Sequence, residues 1–116
     1  MEMKQESLDN GVTLIALLGR LDVDGSQAID LPFSLATTSK VGKFVVDLSA
    51  VPFIASIGIR LLLTAGRAQA RRGGRMVLIP PAGMGEDVLK TAGVDLVMPV
   101  AKDLPAALAA LETAPA

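Results

Sequence analysis

The sequence has no cysteine, histidine, tryptophan or tyrosine, and its only aromatic residues are three phenylalanines. The missing cysteine excludes disulfides, thiolate catalysis and cysteine metal sites, and the missing histidine removes the usual general base and the commonest metal ligand. An enzyme built from this chain would have to use carboxylates, lysine and serine alone. We therefore expect a protein that is not an enzyme and that has neither a metal site nor a cofactor.

An excess of one charge and a long apolar run are also missing. The formal net charge is -1, which argues against binding to nucleic acid through a net positive field. No apolar run approaches the ~20 residues that a membrane helix needs, and the opening stretch carries acids where a signal peptide would be apolar. We expect a cytoplasmic protein with no direct membrane insertion.

The length of 116 residues suits one domain, since compact domains cluster near ~100 to 150 residues. The predicted domain covers residues 1–116, with frayed ends at 1–3 and 113–116. Because 51% of the chain is hydrophobic and little of that is aromatic, the core must be aliphatic. Such a core is typical of helices packed on a sheet.

Short aliphatic runs predict three buried strands, at residues 12–18, 44–48 and 76–79. Between the last two, residues 57–72 have helical spacing, and Gly73 with Gly74 marks the end of that helix. The polar positions of its exposed face are Arg60, Thr64, Arg67 and Arg71. Strand, helix and strand together predict a right-handed crossover.

The other predicted elements are less regular. A helix over residues 25–39 contains Pro32, which should kink the helix or split it. A short helix at 84–92 is closed by Gly93, and a last strand is expected at 96–100. A terminal helix at 104–111 has Asp103 as its N-cap.

Ser56 stands out as a lone hydroxyl in an apolar loop, where the second strand gives way to the helix. As an N-cap it would accept a bond from a backbone N–H of the first turn and contribute ~1 kcal/mol. As a switch it would carry a phosphate, which a helix N-terminus holds through its unpaired N–H groups and partial positive charge. The two roles are compatible.

Three charged residues have competing interpretations. Asp22 and Asp47 could be paired catalytic carboxylates, but both lie at predicted strand ends, where an aspartate commonly caps a turn. Arg60 belongs to a run of arginines that is either a solvated helix face or a docking stripe for an acidic partner. Arg60 is nearest the Ser56 loop and so has the best claim to a partner contact.

Three stretches of the chain resemble the STAS domain family, which contains the bacterial anti-sigma factor antagonists. They are "GRLDVDGSQAI" at 19–29, "VVDLSAVPFIASIGIRLLL" at 45–63 and "RMVLIPP" at 75–81. The likeness covers nearly the whole chain. Its most specific parts are the G-x-L-D turn, with Gly19, Leu21 and Asp22, and the D-L-S strand end that begins at Asp47.

The resemblance implies an α/β fold, a STAS-like single domain with a four- or five-stranded mixed sheet and helices largely on one side. It also implies partner switching, in which an anti-sigma factor serine kinase phosphorylates a loop hydroxyl, the phosphate breaks the complex, and a phosphatase restores it. Carried over residue by residue, Ser56 is the phosphoacceptor. The implied partner-binding residues are Asp22, Asp47, Ser56, Ile57, Gly58 and Arg60.

The chain departs from the frequent D-S-S-G loop of this family at two positions. Ala55 replaces the acid that opens the loop, and Ile57 occupies the place of the serine that is phosphorylated in that pattern. The loop "ASIGIRLLL" is closer to members with an S-S-A-G-L-R-like loop. The alternative function is a STAS regulatory subunit of a membrane transporter, which acts by binding without phosphorylation.

Overall fold

The computed structural model describes residues 1–83 and 87–113 and contains a four-stranded mixed sheet. Its strands are β1 (Glu2–Ser7), β2 (Val12–Leu18), β3 (Lys43–Ala50) and β4 (Arg75–Ile79), in that spatial order. β1 pairs antiparallel with β2, and the other neighbours are parallel. The predicted α/β class and mixed sheet are therefore confirmed.

The described ranges contain four α-helices, which are α1 (Val23–Thr38), α2 (Ser56–Arg71), α3 (Asp87–Thr91) and α4 (Leu104–Thr113). α2 begins at Ser56, one residue before the predicted range of 57–72, and Gly73 follows its end with a φ of 90°. The start of the helix predicted at 84–92 lies outside the described residues, and its remainder is α3. In α4 the predicted N-cap is confirmed, because Asp103 Oδ1 accepts from the Ala106 N–H at 2.9 Å.

Side-chain alternation divides the core between the two faces of the sheet. In β3, Phe44 and Val46 pack with α1, α2 and the segment around α3, whereas Val45 packs with α4 on the opposite face. Three of the four described helices thus share one face, as the resemblance implied. The loops that follow β2 and β3 lead directly into α1 and α2.

The structure differs from the sequence predictions at the first residues, which we expected to fray over 1–3. Glu2–Ser7 instead forms an edge strand. The hydrophobic pattern of the sequence does not reveal this strand, because Met3 is its one half-buried residue and the other five residues are exposed. Its main-chain bonds to β2, and not an apolar stripe, define it. Residues 114–116 lie outside the described part.

The strand predicted at 96–100 is also wrong. Val94–Leu96 forms a 3-10 turn, and only Val100 pairs with the sheet, through a single bridge to Leu78. The Val97 and Met98 amides are turned back to the Val94 carbonyl. Pro99 has no N–H to extend a ladder, so the pairing stays limited to this bridge.

Pro32 does not split α1, contrary to one of the two expected outcomes. α1 runs as one 16-residue helix with Pro32 inside it. Proline removes the bond that its N–H would donate to the carbonyl four residues earlier, here Ala28. Both residues are exposed, so water can reach the carbonyl that the proline leaves without a donor.

Gln69 is a fully buried polar side chain that joins α2 to the end of α1. Its Nε2 donates to the carbonyls of Thr37 and Lys40, and its Oε1 accepts from the Gly42 N–H at 3.2 Å. The Thr37 carbonyl is among the last four of α1, which have no partner inside that helix. Gln69 therefore satisfies the buried Thr37 carbonyl and two part-buried main-chain groups, at Lys40 and Gly42.

We predict that Gln69→Leu lowers the free energy of unfolding by about 1–3 kcal/mol, because it leaves the buried Thr37 carbonyl without its side-chain donor at nearly constant volume. Gln5→Leu is the matched control, since Gln5 is exposed and should change stability by less than about 0.5 kcal/mol. Urea unfolding followed by circular dichroism measures both. Equal stability of the two variants would contradict the role of Gln69.

Candidate functional site

The loops that precede α1 and α2 are held together by main-chain bonds of Leu21. The Leu21 N–H donates to the Phe53 carbonyl at 2.8 Å, and the Ala55 N–H donates to the Leu21 carbonyl at 2.9 Å. These two bonds form an isolated parallel bridge between Leu21 and Ile54. The residues that follow the bridge partners, Asp22 and Ala55, are the N-caps of the two helices. Both helices therefore start at the same edge of the sheet.

Gly58 lies in the first turn of α2 and packs against the Leu21 loop. A Cβ atom at Gly58 would lie 2.6 Å from Leu21 Cγ and 3.0 Å from the Leu21 carbonyl oxygen. Leu21 is fully buried, so it has little room to move away. The absence of a side chain at Gly58 is what lets the two helix starts approach each other.

We predict that Gly58→Ala destabilises the fold by about 1–2 kcal/mol. Overpacking a filled site costs roughly 1–3 kcal/mol, and the better helix propensity of alanine recovers up to about 1 kcal/mol. Gly83→Ala is the control, because a Cβ there meets no atom within 4 Å. Chemical denaturation of both variants gives the result, and a Gly58→Ala protein as stable as the control would show that the contact is relaxed at no cost.

Asp22 is the N-cap of α1. Its Oδ1 accepts from the Gly25 N–H at 2.8 Å, and its Oδ2 lies 3.4 Å from Arg20 Nε. The Gly25 hydrogen bond, helped by Arg20, lowers the pKa of the Asp22 carboxyl below its ordinary value of 3.8. Asp22 is thus a negative charge at the candidate site that already has a structural role.

Ser56 is the first residue of α2 and is exposed. The N-cap position belongs to Ala55, which has no side chain able to cap. The interpretation of Ser56 as the N-cap is therefore wrong, and its hydroxyl forms no hydrogen bond within the described residues. The Ser56 and Ile57 amides likewise have no acceptor there. By contrast, aspartate side chains cap α1 and α4.

The six sequence-predicted site residues are not all brought together. Ser56, Ile57 and Gly58 form the first turn of α2, beside the loop that carries Asp22, and Arg60 lies exposed one turn further along. Asp47 is separate, because it alternates with Val46 and so points to the α4 face of the sheet. Its Oδ1 accepts from the Ser49 N–H at 2.9 Å, which matches the predicted turn-capping role.

Of the exposed apolar residues at this end of the sheet, the sequence analysis names Ile57 as a site residue but not Val23 or Phe53. Val23, Phe53 and Ile57 are 53%, 38% and 37% exposed, and Arg20 stacks over the Phe53 ring at 4.5 Å from its centroid. Each residue stands in or beside one of the two loops. No local pattern identifies such a surface, since it depends on loops that are distant in sequence.

The described residues offer no cluster of metal ligands at this edge. No group of three or more acidic, histidine or cysteine residues in ranges 1–83 and 87–113 could hold a metal ion. The two candidate catalytic carboxylates, Asp22 and Asp47, are engaged with the backbone at separate places. No helix in those ranges is long and apolar enough to cross a membrane.

Comparison with known families identifies the class of this domain. The STAS domain profile matches residues 5–107, so the chain belongs to the STAS domain family. The fold described above agrees with that assignment, and anti-sigma factor antagonists are among its structural neighbours.

One solved structure similar to the chain is an anti-sigma factor antagonist from Mycobacterium paratuberculosis. The two share 25% sequence identity with a TM-score of 0.80, over 95% of this chain and 92% of that one. The Bacillus cell fate determinant SpoIIAA in its phosphorylated form has 24% identity and a TM-score of 0.65, over 86% of this chain and 91% of that one.

A transporter also contains a similar fold. The murine Slc26a9 anion transporter, in its inward-facing state, matches with 16% identity and a TM-score of 0.74. The match covers 90% of this chain but 18% of the transporter chain, so the likeness is to one part of that protein. No curated protein sequence matches the chain significantly.

Proposed function

We propose that this protein is an anti-sigma factor antagonist of a partner-switching pathway. It acts in the cytoplasm as a binding protein without enzymatic activity, and its partner is an anti-sigma factor serine kinase. Phosphorylation of Ser56 ends the complex, and a phosphatase reverses it. The partner surface consists of the α2 first turn, the Asp22 loop and Arg60, and it leaves out Asp47, which lies on the α4 face of the sheet.

The observation that carries this proposal is the uncapped start of α2. The exposed Ser56 hydroxyl stands at the first position of a 16-residue helix, where unpaired N–H groups and the helix dipole favour an anion. In the described chain no side chain competes for the Ser56 and Ile57 amides. A phosphate on Ser56 would supply the acceptor oxygens that this turn lacks.

The exposed apolar residues explain why such a phosphate would break a complex. A partner that covers Val23, Phe53 and Ile57 removes that edge of the sheet from water. A phosphoserine adds a charge of about -1.5 to -2, which is costly to bury without a compensating cation. The phosphate is held locally by the helix, and its charge acts against the partner surface.

We predict that Ser56→Asp weakens kinase binding by tenfold or more, about 1.4 kcal/mol, whereas Ser56→Ala leaves it nearly unchanged. Alanine removes a hydroxyl with no bond in the described structure, and aspartate adds charge at the interface. Calorimetric titration with the partner kinase measures both.

Ser7→Asp is the matched control for that titration, because Ser7 is exposed and pairs with Thr13, at the end of the sheet away from the start of α2. It should bind like the unmodified chain. If Ser56→Asp and Ser56→Ala bind equally well, the charge mechanism is wrong.

We predict further that the kinase transfers phosphate to Ser56 and to no other residue of the loop. Ile57 has no hydroxyl, and Ser49 lies near the end of β3, seven residues before Ser56. Incubation with kinase and ATP, followed by peptide mass spectrometry, locates the modification. Phosphate on Ser49 would show that the family motif is aligned to the wrong serine.

The likeness to the transporter part favours one second function, a regulatory subunit that binds a membrane transporter without phosphorylation. The same apolar edge would then contact the transporter, and Ser56 would remain unmodified. Absence of phosphate after incubation with the kinase, together with binding to a transporter, would favour this function over the first.

A further inference from the structure

A groove of about 320 Å³ runs between α1 and α2 on the outer side of the sheet. It exists because the facing residues are small, with Ser26 and Ser34 on α1 and Ala65 and Ala68 on α2. Its volume is at the lower end of the range for small-molecule sites, which is about 300–1,000 Å³. We call it the inter-helix groove.

Ser26 gives this groove an unsatisfied polar group. The residue is 3% exposed, and its Oγ is the one buried side-chain oxygen or nitrogen without a partner in the described ranges. A buried hydroxyl without a hydrogen bond is costly. A polar ligand atom in the groove would remove that cost.

The α1 side of the groove presents acceptors. The hydroxyls of Ser34, Thr37 and Thr38 line it, and each donates its proton within α1, to Asp30, to the Phe33 carbonyl and to the Ser34 carbonyl respectively. Their oxygens are left with lone pairs only. The Asp30 carboxylate adds a negative charge on the same side. This wall therefore suits a ligand that donates hydrogen bonds and carries positive charge.

The α2 side is complementary. Leu61, Ala65 and Ala68 form an apolar strip, and Arg60 brings a guanidinium group to the groove. Arg60 is exposed and forms no ion pair in the described part of the chain. This wall therefore suits an apolar body with an anionic group.

We propose that the inter-helix groove binds a free α-amino acid with an apolar side chain. The ammonium group meets Asp30 and the hydroxyl oxygen of the neighbouring Ser34, the carboxylate meets Arg60, and the side chain lies on Leu61 and Ala65. Ser26 Oγ donates to a ligand oxygen. A ligand with a single charge would pair with only one of Asp30 and Arg60, and its apolar part would then lie against the other charged side chain.

The groove shares Ile57 and Arg60 with the partner surface. If the proposed function holds, on which this step rests, an amino acid bound in the groove and the kinase would compete for these residues. The coupling is reciprocal, because each ligand changes the affinity of the other by the same factor. The groove would thus report the supply of an amino acid to the partner switch.

The test uses the isolated chain, so that it does not depend on a kinase. Amide shifts of the ¹⁵N-labelled protein are followed during titration with L-phenylalanine and L-leucine, and then with L-phenylalaninamide and N-acetyl-L-phenylalanine. We expect saturable shifts at Ser26, Leu61 and Ala65 with one of the free amino acids. The two derivatives, which lack one charge each, should bind at least tenfold more weakly.

Variants assign the contacts. Arg60→Gln should weaken binding of the free amino acid about tenfold and leave binding of L-phenylalaninamide, which has no carboxylate, unchanged. Asp30→Asn should also weaken binding of the free amino acid about tenfold, and it should leave binding of N-acetyl-L-phenylalanine, which has no ammonium group, unchanged. Ser26→Ala should weaken binding without lowering the melting temperature. Arg67→Gln is the control, since Arg67 is exposed on α2 and does not line the groove.

Two results would overturn the proposal. One is the absence of saturable shifts in the groove at millimolar amino acid, which would mean that the groove holds only water. The other is equal binding of all four compounds with no effect of Arg60→Gln, which would mean non-specific apolar contact. Absence of a kinase interaction would overturn the proposed function instead and leave these titrations unchanged.

Discussion

The main-chain bridge between Leu21 and Ile54 is the constraint on which the candidate site at the starts of α1 and α2 depends. Two parallel crossovers place the carboxyl ends of β2 and β3 at the same edge of the sheet. The two main-chain bonds of Leu21 then hold together the loops that follow these strands. α1 and α2 can begin side by side only because Gly58 leaves room for Leu21. The positions of Asp22, Ser56 and Ile57 follow from this one contact.

The far ends of the same two helices are joined by a different kind of interaction. There, Gln69 and Arg72 of the α2 end donate to carbonyls of the α1 end. A side chain thus replaces the main-chain bridge that is found at the helix starts. With both ends connected, the small residues along the middle of the two helices leave the space of the groove between them.

The central elements could be predicted because burial on both faces produces short aliphatic runs, as in Val12–Leu18, and because α2 has a regular polar face and a glycine stop. The edge strand Glu2–Ser7 could not, since its solvent-facing residues carry no apolar alternation. The run at 96–100 looks like a strand, but Pro99 and the turn at Val94 limit it to one bridge.

The candidate site divides in the same way. Ser56 could be located from its loop, and its position at the helix start was correct, but which residue takes the N-cap depends on backbone angles that Ala55 and Ser56 do not reveal in the sequence. The separation of Asp47 from Ser56 depends on strand alternation, and the pairing of Arg20 with Phe53 depends on a contact 33 residues apart in the chain. Such features need the assembled loops.

The uncapped first turn of α2 also has a kinetic consequence. Helix ends without a capping side chain open more easily than capped ones, so the free energy of local unfolding there is small compared with that of the core. Amide hydrogen exchange at Ser56 and Ile57 should accordingly be fast, while exchange at Leu62 in the buried middle of the same helix is slow. In the proposed switch, a kinase would be able to unwind this turn without disturbing the sheet, and a phosphate on Ser56 would then slow the opening by supplying the missing cap.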